Sequence, residues 1–191
     1  MSEYYDDITI KLFEIAKKYN TLKSYNEIIL ECNKKIMSKG KLSLYGMYFP
    51  KEELSNYFIY KGKITKNEKN KDFEYYFDDS GKLRITKRYS NNELLDIIYY
   101  NYMENDIEIY WYNCKRNTIH CIGYIEYNNN NKLVKFVESS ARDIIELVRN
   151  NENIKSYIEY TFEDDYIFKK IFATDMYSDG RIYEKIIKIP R

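Results

Sequence analysis

The sequence contains few of the residues that interrupt or cross-link a fold. Its 191 residues include two prolines, six glycines, three cysteines and one histidine. Three cysteines at unpatterned spacing do not indicate a disulfide framework. No stretch approaches the ~18 apolar residues of a membrane helix, and the acidic N-terminus lacks the apolar segment of a secretory signal. We therefore expect a cytoplasmic protein with reduced cysteines.

Motifs for catalysis are also missing. The sequence has no Gly-rich phosphate loop and no Gly-x-Ser-x-Gly nucleophile motif. His120 precedes Cys121, but adjacent strand residues point to opposite faces. Together with Cys114 these two residues lack the spacing of a zinc site. We expect no enzymatic activity, no metal site and no cofactor.

Charge is abundant but balanced, with 31 Lys and Arg against 30 Asp and Glu and a net charge of +1. This balance gives no general attraction to nucleic acid or to a membrane surface. Tyrosine is the residue in excess, with 23 copies, and it favours strands and half-buried surfaces. Lys, Asn and Ile are abundant too, and all four have AT-rich codons. The sequence does not decide whether function or codon bias explains the tyrosines.

Helical periodicity is confined to the N-terminal 40 residues. Two apolar stripes with helical spacing lie there: Ile8, Leu12, Ile15, Ala16 and Tyr19, then Leu22, Tyr25, Ile28, Ile29, Cys32 and Ile36. They predict one or two helices between residues 4 and 38. Thr21 is a candidate N-cap for the second helix, and Gly40 is its candidate C-cap.

From about residue 42 the apolar period changes from 3.6 to two. Alternation is clearest at residues 73–78, 107–112, 119–126 and 154–163, with short polar turns between the runs. Short turns predict antiparallel neighbours, because a parallel return needs a long crossover. The sequence therefore predicts an α+β fold in one domain, residues 1–191. A helical segment (1–40) would precede a large, curled antiparallel meander (41–191), with a short helix near 140–150 capped by Ser139 or Ser140.

The alternation places several tyrosines and carboxylates on one side of the predicted sheet. They are Tyr76, Glu108, Tyr110, Tyr112, Tyr124, Glu126, Tyr157 and Glu159. Tyr is enriched at protein interfaces, and interleaved carboxylates would pair with Lys or Arg of a partner. We expect these eight residues to bind a basic protein. The alternative is that the same face packs against the N-terminal helices, since the sequence does not show which face they cover.

Two other functions are alternatives for this chain. The tyrosines would stack on the bases of single-stranded nucleic acid, although Glu74, Glu108 and Glu126 on the same face would repel phosphate. A small-ligand or enzymatic pocket inside the curled sheet would need buried carboxylates with shifted pKa values. The sequence fixes neither the identity of the partner nor the oligomeric state.

The turns between the strands share a pattern. The best instance is Phe77-Asp78-Asp79-Ser80-Gly81-Lys82-Leu83, with Asn130-Asn131-Lys132-Leu133 and Met176-Tyr177-Ser178-Asp179-Gly180-Arg181-Ile182 as looser copies. In these Tyr-rich hairpins, over about residues 70–190, the chain resembles the small immunity proteins (antitoxins) of bacterial polymorphic-toxin systems. The resemblance implies a non-catalytic inhibitor that masks the active site of a toxin domain. It assigns no functional residue.

Overall fold

The computed structural model describes residues 6–19, 24–40, 42, 62–104, 106–130, 132–139, 154–173 and 182–190. The helices in these residues are α1 (Asp7–Lys18), α2 (Tyr25–Leu30) and a 3-10 helix (Glu68–Asn70). The strands are β1 (Lys34–Lys39), β2 (Lys63–Ile64), β3 (Phe73–Phe77), β4 (Leu83–Ser90), β5 (Glu93–Tyr102), β6 (Asp106–Asn113), β7 (Thr118–Tyr127), β8 (Leu133–Ser139), β9 (Ser156–Phe162), β10 (Tyr166–Ala173) and β11 (Tyr183–Pro190).

The strands form an antiparallel sheet in the order β11-β10-β9-β8-β7-β6-β5-β4-β3-β1-β2. From β3 to β11 each strand lies beside its neighbours in sequence, as in a meander, while β1 lies between β3 and β2. The predicted α+β fold, with N-terminal helices and a large antiparallel meander, is confirmed. The helix predicted near 140–150 and the Thr21 cap lie outside the described residues.

One segment predicted as helix is a strand. The apolar stripe ending at Ile36 suggested a second helix to about residue 38, but α2 ends at Leu30. The next residues form β1, which pairs with β3 from Lys34↔Phe77 to Ser38↔Phe73. The pairing partner is about 40 residues away in sequence, so the local apolar pattern does not indicate this strand pairing. The predicted helical segment 1–40 therefore includes a strand at its end, and Gly40 follows that strand with φ +71 rather than capping a helix.

Two hairpin turns have the same geometry. In the β3–β4 turn, the Asp78 side chain accepts hydrogen bonds from the backbone of Ser80 and Lys82, and Asp78 N donates to Lys82 O. Asn128 makes the equivalent three hydrogen bonds in the β7–β8 turn. The flanking pairs, Phe77↔Leu83 and Tyr127↔Leu133, follow a register shift in both hairpins. The repetition noted in the sequence is thus a repeated turn structure, stabilised by an Asp or Asn at its first position.

The chain divides into two compact units. The first unit is Met1–Leu22, Tyr102–Tyr110 and Thr118–Arg191, and the second is Lys23–Asn101 and Trp111–Asn117. By sequence, the first unit has 14 Lys and Arg against 19 Asp and Glu, a net charge of −5. The second has 17 against 11, a net charge of +6. The single domain over residues 1–191 stays a prediction.

In the first unit, α1 packs on β7. Its buried side consists of Thr9, Leu12, Phe13, Ile15 and Ala16. The opposite face of β6, β7, β8 and β9 is buried as well, with Ile107, Ile109, Ile119, Ile125, Phe136 and Tyr160. These strands are therefore buried on both faces, whereas simple alternation predicts one hydrated face.

In the second unit, α2 packs on β4. Ser24 and Glu27 form a capping box at the start of this helix: Ser24 N donates to Glu27 Oε2 at 2.7 Å, and Glu27 N donates to Ser24 Oγ at 3.3 Å. The core is aromatic and aliphatic, with Tyr75, Phe77, Leu83, Ile85, Ile97, Ile98, Tyr99 and Tyr100. The Tyr75 hydroxyl accepts a hydrogen bond of 2.9 Å from Leu42 N, so this buried oxygen is satisfied.

Candidate functional site

The tyrosines predicted to be displayed in the first unit lie beneath α1. We call this surface the acidic tyrosine face; it consists of Asp106, Glu108, Tyr110, Tyr124, Glu126, Tyr157 and Glu159. Tyr110, Tyr124 and Tyr157 are only 0%, 2% and 1% exposed, and Glu108 is buried with them. The alternation identified their common side correctly. The expectation that these four side chains are displayed to a partner is wrong, because the N-terminal helix covers them.

The lysines of α1 make the ion pairs that we expected from a basic partner. Lys11 Nζ lies 2.7 Å from Asp106 Oδ2 and 2.8 Å from Glu126 Oε1, and 3.9 Å from the centroid of the Tyr124 ring. Lys18 Nζ lies 2.5 Å from Glu108 Oε1. Burial would lower the pKa of Lys11, but the two carboxylates outweigh it and raise that pKa. The acidic tyrosine face therefore binds lysine side chains of the chain itself, and two of these belong to α1.

The buried tyrosine hydroxyls of this face also contact α1. The Tyr110 hydroxyl lies 3.1 Å from both the Ile15 carbonyl oxygen and Glu108 Oε2, and the Tyr157 hydroxyl donates to the Asp6 carboxylate. Burial first, and the nearby carboxylates second, raise the pKa of both tyrosines. Both hydroxyls therefore stay protonated and act as donors that hold the helix.

Part of the acidic tyrosine face remains accessible beside α1. Asp106 and Glu126 side chains are 27% and 28% exposed. Glu159 is mostly buried and pairs with Lys135 at 3.2 Å. Among the described residues, Asp106 and Glu126 together contact one ammonium group, that of Lys11, which balances one of their two negative charges.

Two of the eight predicted residues, Tyr76 and Tyr112, belong to the second unit. Both are partly exposed, and the Tyr112 hydroxyl donates to Asn117 Oδ1. Tyr76 is part of a group that we call the lysine–tyrosine cluster: Tyr25, Lys71, Glu74, Tyr76, Lys87 and Tyr89. Of the eight predicted residues, six lie in the first unit and two in the second.

Glu74 is the buried carboxylate of the lysine–tyrosine cluster. It accepts hydrogen bonds from the Tyr76 hydroxyl at 2.9 Å and the Tyr89 hydroxyl at 2.6 Å, and Lys71 Nζ lies 2.8 Å away. Burial would raise its pKa, but these three donors outweigh burial and lower the pKa to about 2. On the sequence alone, Glu74 is a charge that repels phosphate. In the structure, neighbouring donors neutralise it.

Lys87 on β4 is a cation that the sequence analysis missed. Its Nζ lies 5.0 Å from the centroid of the Tyr25 ring and 5.4 Å from that of the Tyr76 ring. In the part of the chain that the structure describes, it makes no hydrogen bond and no ion pair. Burial lowers its pKa, and the nearby Lys71 and Lys35 lower it further against the effect of Glu74. No sequence signal marks this lysine, because the two rings come from α2 and β3.

The cysteines show no sign of activation. All three are free and partly buried, and burial raises the pKa of the Cys32 and Cys114 thiols, which disfavours the reactive thiolate. The Cys121 thiol donates to the Ser139 carbonyl oxygen at 3.4 Å. For His120 only the backbone, in β7, is described. Among the described residues, no group of three or more His, Cys, Asp or Glu side chains is arranged to hold a metal ion.

No family model, curated protein or solved structure matches the chain. None of the described helices has the length and apolar character needed to cross a membrane.

Proposed function

We propose that the chain is a non-catalytic protein-binding protein of the immunity (antitoxin) type, which acts in the cytoplasm and masks a basic toxin partner. One observation carries the proposal. Among the described residues, Asp106 and Glu126 contact a single ammonium group, that of Lys11, and both stay more than a quarter exposed. They belong to a unit with a net charge of −5, so a second cation from a partner would be attracted to them.

The contacts of Lys11 indicate how a partner would bind. Its ammonium group is held by two carboxylates and the face of a tyrosine ring, and cation–π contacts of this kind add roughly 0.5–2 kcal/mol. A Lys or Arg of the partner would use the exposed oxygens of Asp106 and Glu126. Long-range attraction to the acidic unit would speed association and make it depend on salt. The proposed contact residues are thus Asp106 and Glu126.

The test is affinity capture from the cells that express the chain, with the full chain immobilised. We expect a basic protein to be retained by the wild type and reduced at least tenfold by Glu126→Lys. The matched control is Glu93→Lys, the same charge reversal at an exposed position of the second unit, which should retain the protein. In co-expression, the captured protein should be toxic alone and harmless together with the wild-type chain.

The same experiment can reject the proposal. Circular dichroism first establishes that Glu126→Lys is folded. The binding surface is wrong if the recovery of every captured protein is equal for Glu126→Lys and Glu93→Lys. The immunity function is wrong if the protein captured through Glu126 has no toxicity that the chain suppresses.

The second candidate function is binding of single-stranded nucleic acid by the second unit. The observation that favours it is Lys87, a half-buried cation in a unit with a net charge of +6. Its ammonium group lies near the Tyr25 and Tyr76 rings and makes no ion pair with a described residue. Ammonium groups bind phosphates, and tyrosine rings stack on bases with little sequence preference. The carboxylate of the cluster, Glu74, is already neutralised by its donors.

Fluorescence anisotropy of a labelled oligo(dT) tests this candidate at low salt with the full chain. Lys87→Gln should weaken binding about fivefold or more and reduce the salt slope by about one ion. Lys63→Gln removes the same charge from an exposed residue of β2, three strands from β4, and should change affinity less than twofold. Absence of binding at about 20 mM salt, or equal effects of the two variants, would remove the candidate.

A further inference from the structure

Strand β11 lies at one end of the sheet. One edge of it pairs with β10 along its whole length, from Tyr166↔Pro190 to Ala173↔Tyr183. In the part of the chain that the structure describes, no strand pairs with its other edge. An edge of eight residues with unpaired backbone groups favours the addition of another strand.

The side chains of β11 have a symmetric charge pattern. Alternation places Glu184, Ile186 and Lys188 on one face, with the acidic and basic residues at equal distances from the isoleucine. Ile186 is 63% exposed. Glu184 lies 3.6 Å from Lys170, and Lys188 Nζ lies 3.6 Å from the Tyr166 ring centroid. Contacts with β10 thus hold both charged side chains on the same face as Ile186.

We propose that the chain forms a symmetric dimer in which β11 pairs with β11 of a second copy. Antiparallel pairing centred on Ile186 places Ile186 opposite Ile186, and Glu184 opposite Lys188 of the second copy. The twofold axis generates a second, identical Glu184–Lys188 pair. Opposite charges at facing positions stabilise a sheet, and like charges there destabilise it. The exposed Ile186 side chains would bury each other at the centre.

The charges also select this register over its neighbours. A twofold axis perpendicular to the sheet keeps each face continuous, so the register can change only in steps of two. One step places Lys185 opposite Lys185. The other places Ile186 opposite Lys188 and leaves Glu184 without a basic residue. Only the register centred on Ile186 pairs both charges.

Residues that protect edge strands do not prevent this pairing. Lys and Pro commonly block unwanted strand addition. In the proposed dimer, Lys188 lies opposite Glu184 of the second copy. The aliphatic part of Lys185 lies opposite Ile187 of the second copy. Pro190 has no backbone N–H, so it ends the ladder at residue 189. An interface of seven residues per copy is at the small end of specific interfaces, so we expect a dissociation constant on the order of 1–100 µM.

Charge-swap variants of the full chain test the dimer by sedimentation velocity from about 1 to 300 µM. Glu184→Lys places like charges opposite each other in its own dimer, and so does Lys188→Glu. Each single variant should therefore raise the dissociation constant about tenfold. An equimolar mixture of the two restores both pairs, since one copy has two lysines and the other two glutamates. The mixture should form a 1:1 heterodimer about as tightly as the wild type dimerises.

The double variant Glu184→Lys/Lys188→Glu provides an internal control, because it also restores opposite charges and should dimerise within about threefold of the wild type. Thermal unfolding establishes that all variants are folded. A wild type that stays monomeric at 300 µM overturns the proposal. So does a dimer that neither single variant weakens, or a mixture that does not associate. None of these outcomes bears on the Glu126 surface, which lies on other strands.

Discussion

Glu74 links a single ionisation to the stability of the second unit. Lys71, Tyr76 and Tyr89 surround its carboxylate and overcome the effect of burial, so its pKa in the fold is about 2 against an ordinary value of 4.5. Because the folded pKa lies below the unfolded one, the ionised carboxylate stabilises the fold above pH ~4.5. That stabilisation is lost as the pH falls towards 2, since the unfolded chain takes up the proton first.

The variant Glu74→Gln isolates this contribution. Between pH 7 and pH 3, the free energy of unfolding of the wild type should fall by roughly 1–3 kcal/mol more than that of Glu74→Gln. Urea denaturation at the two pH values measures the difference. Glu68→Gln, at an exposed carboxylate of the 3-10 helix, should keep the pH dependence of the wild type. Equal pH dependence in Glu74→Gln and the wild type would show that Glu74 is not held as described.

Single residues also show where sequence reasoning succeeds and where it stops. Period-two alternation placed Tyr110 on the same side as Glu108, and Tyr124 on the same side as Glu126; both assignments are correct. It did not show that α1 covers them, since a strand facing a helix has the same alternation as a strand facing water. What covers a strand depends on contacts about 100 residues away in sequence.

At the scale of elements, one residue, Asp6, connects the N-terminus of α1 to the sheet of the first unit. The Asp6 carboxylate accepts a hydrogen bond from Thr9 N at 2.9 Å, which caps the helix. Its other oxygen accepts a hydrogen bond from the hydroxyl of the buried Tyr157 on β9. Asp6 therefore caps the helix, as an ordinary N-cap residue does. It also provides an acceptor for the buried Tyr157 hydroxyl, which has no other acceptor among the described residues.

Removing Asp6 should cost more than removing an ordinary cap. We expect Asp6→Ala to lower the free energy of unfolding by about 2–4 kcal/mol, the sum of a lost cap and an unsatisfied buried hydroxyl. Ser24→Ala, at the exposed cap of α2, should cost only about 0.5–1 kcal/mol. Asp6→Ala in combination with Tyr157→Phe should recover part of the loss, because no donor is then left unpaired. Equal costs for Asp6→Ala and Ser24→Ala would contradict the double role.

An element was predictable when the residues that determine it lie close together in the sequence. The hairpin turn at Asp78–Lys82 follows from Asp, Ser and Gly at fixed positions, and its equivalent at Asn128–Lys132 follows from the same chemistry. The strand β1 was not predictable, since Ile36 fits a helical stripe continued from Ile28 and Ile29. Pairing with β3 overrides that local preference.

At the scale of the whole molecule, the net charge of +1 conceals a division. The first unit has a net charge of −5 and the second +6. The conclusion from the sequence that the chain has no general attraction to nucleic acid or to a membrane surface applies to the sum and not to either unit. The compact units combine separate chain segments, and a running count along the sequence does not reveal them. The two candidate functions therefore concern surfaces of opposite sign.

The buried tyrosines give the whole chain a testable response to alkaline pH. Burial raises the pKa of Tyr160 to about 12 and raises those of Tyr76, Tyr89, Tyr110, Tyr124 and Tyr157 as well. In the unfolded chain tyrosines ionise near pH 10. Because the folded values are higher, the stability that these tyrosines contribute is complete below pH ~10 and is lost as the pH rises above it.

Ultraviolet titration of phenolate absorbance, followed together with circular dichroism, measures this response. We expect one group of tyrosines to ionise near pH 10 with the fold intact, and a second group to ionise only as the fold is lost at higher pH. The chain unfolded in guanidinium should show one transition near pH 10. If the native chain also titrates in one step near pH 10 with unchanged circular dichroism, the tyrosines are displayed rather than buried. Two groups of tyrosines that ionise at different pH would instead show that a substantial share of the tyrosines is packed beneath α1 or within the sheet. In that case only the exposed remainder is available to bind a partner.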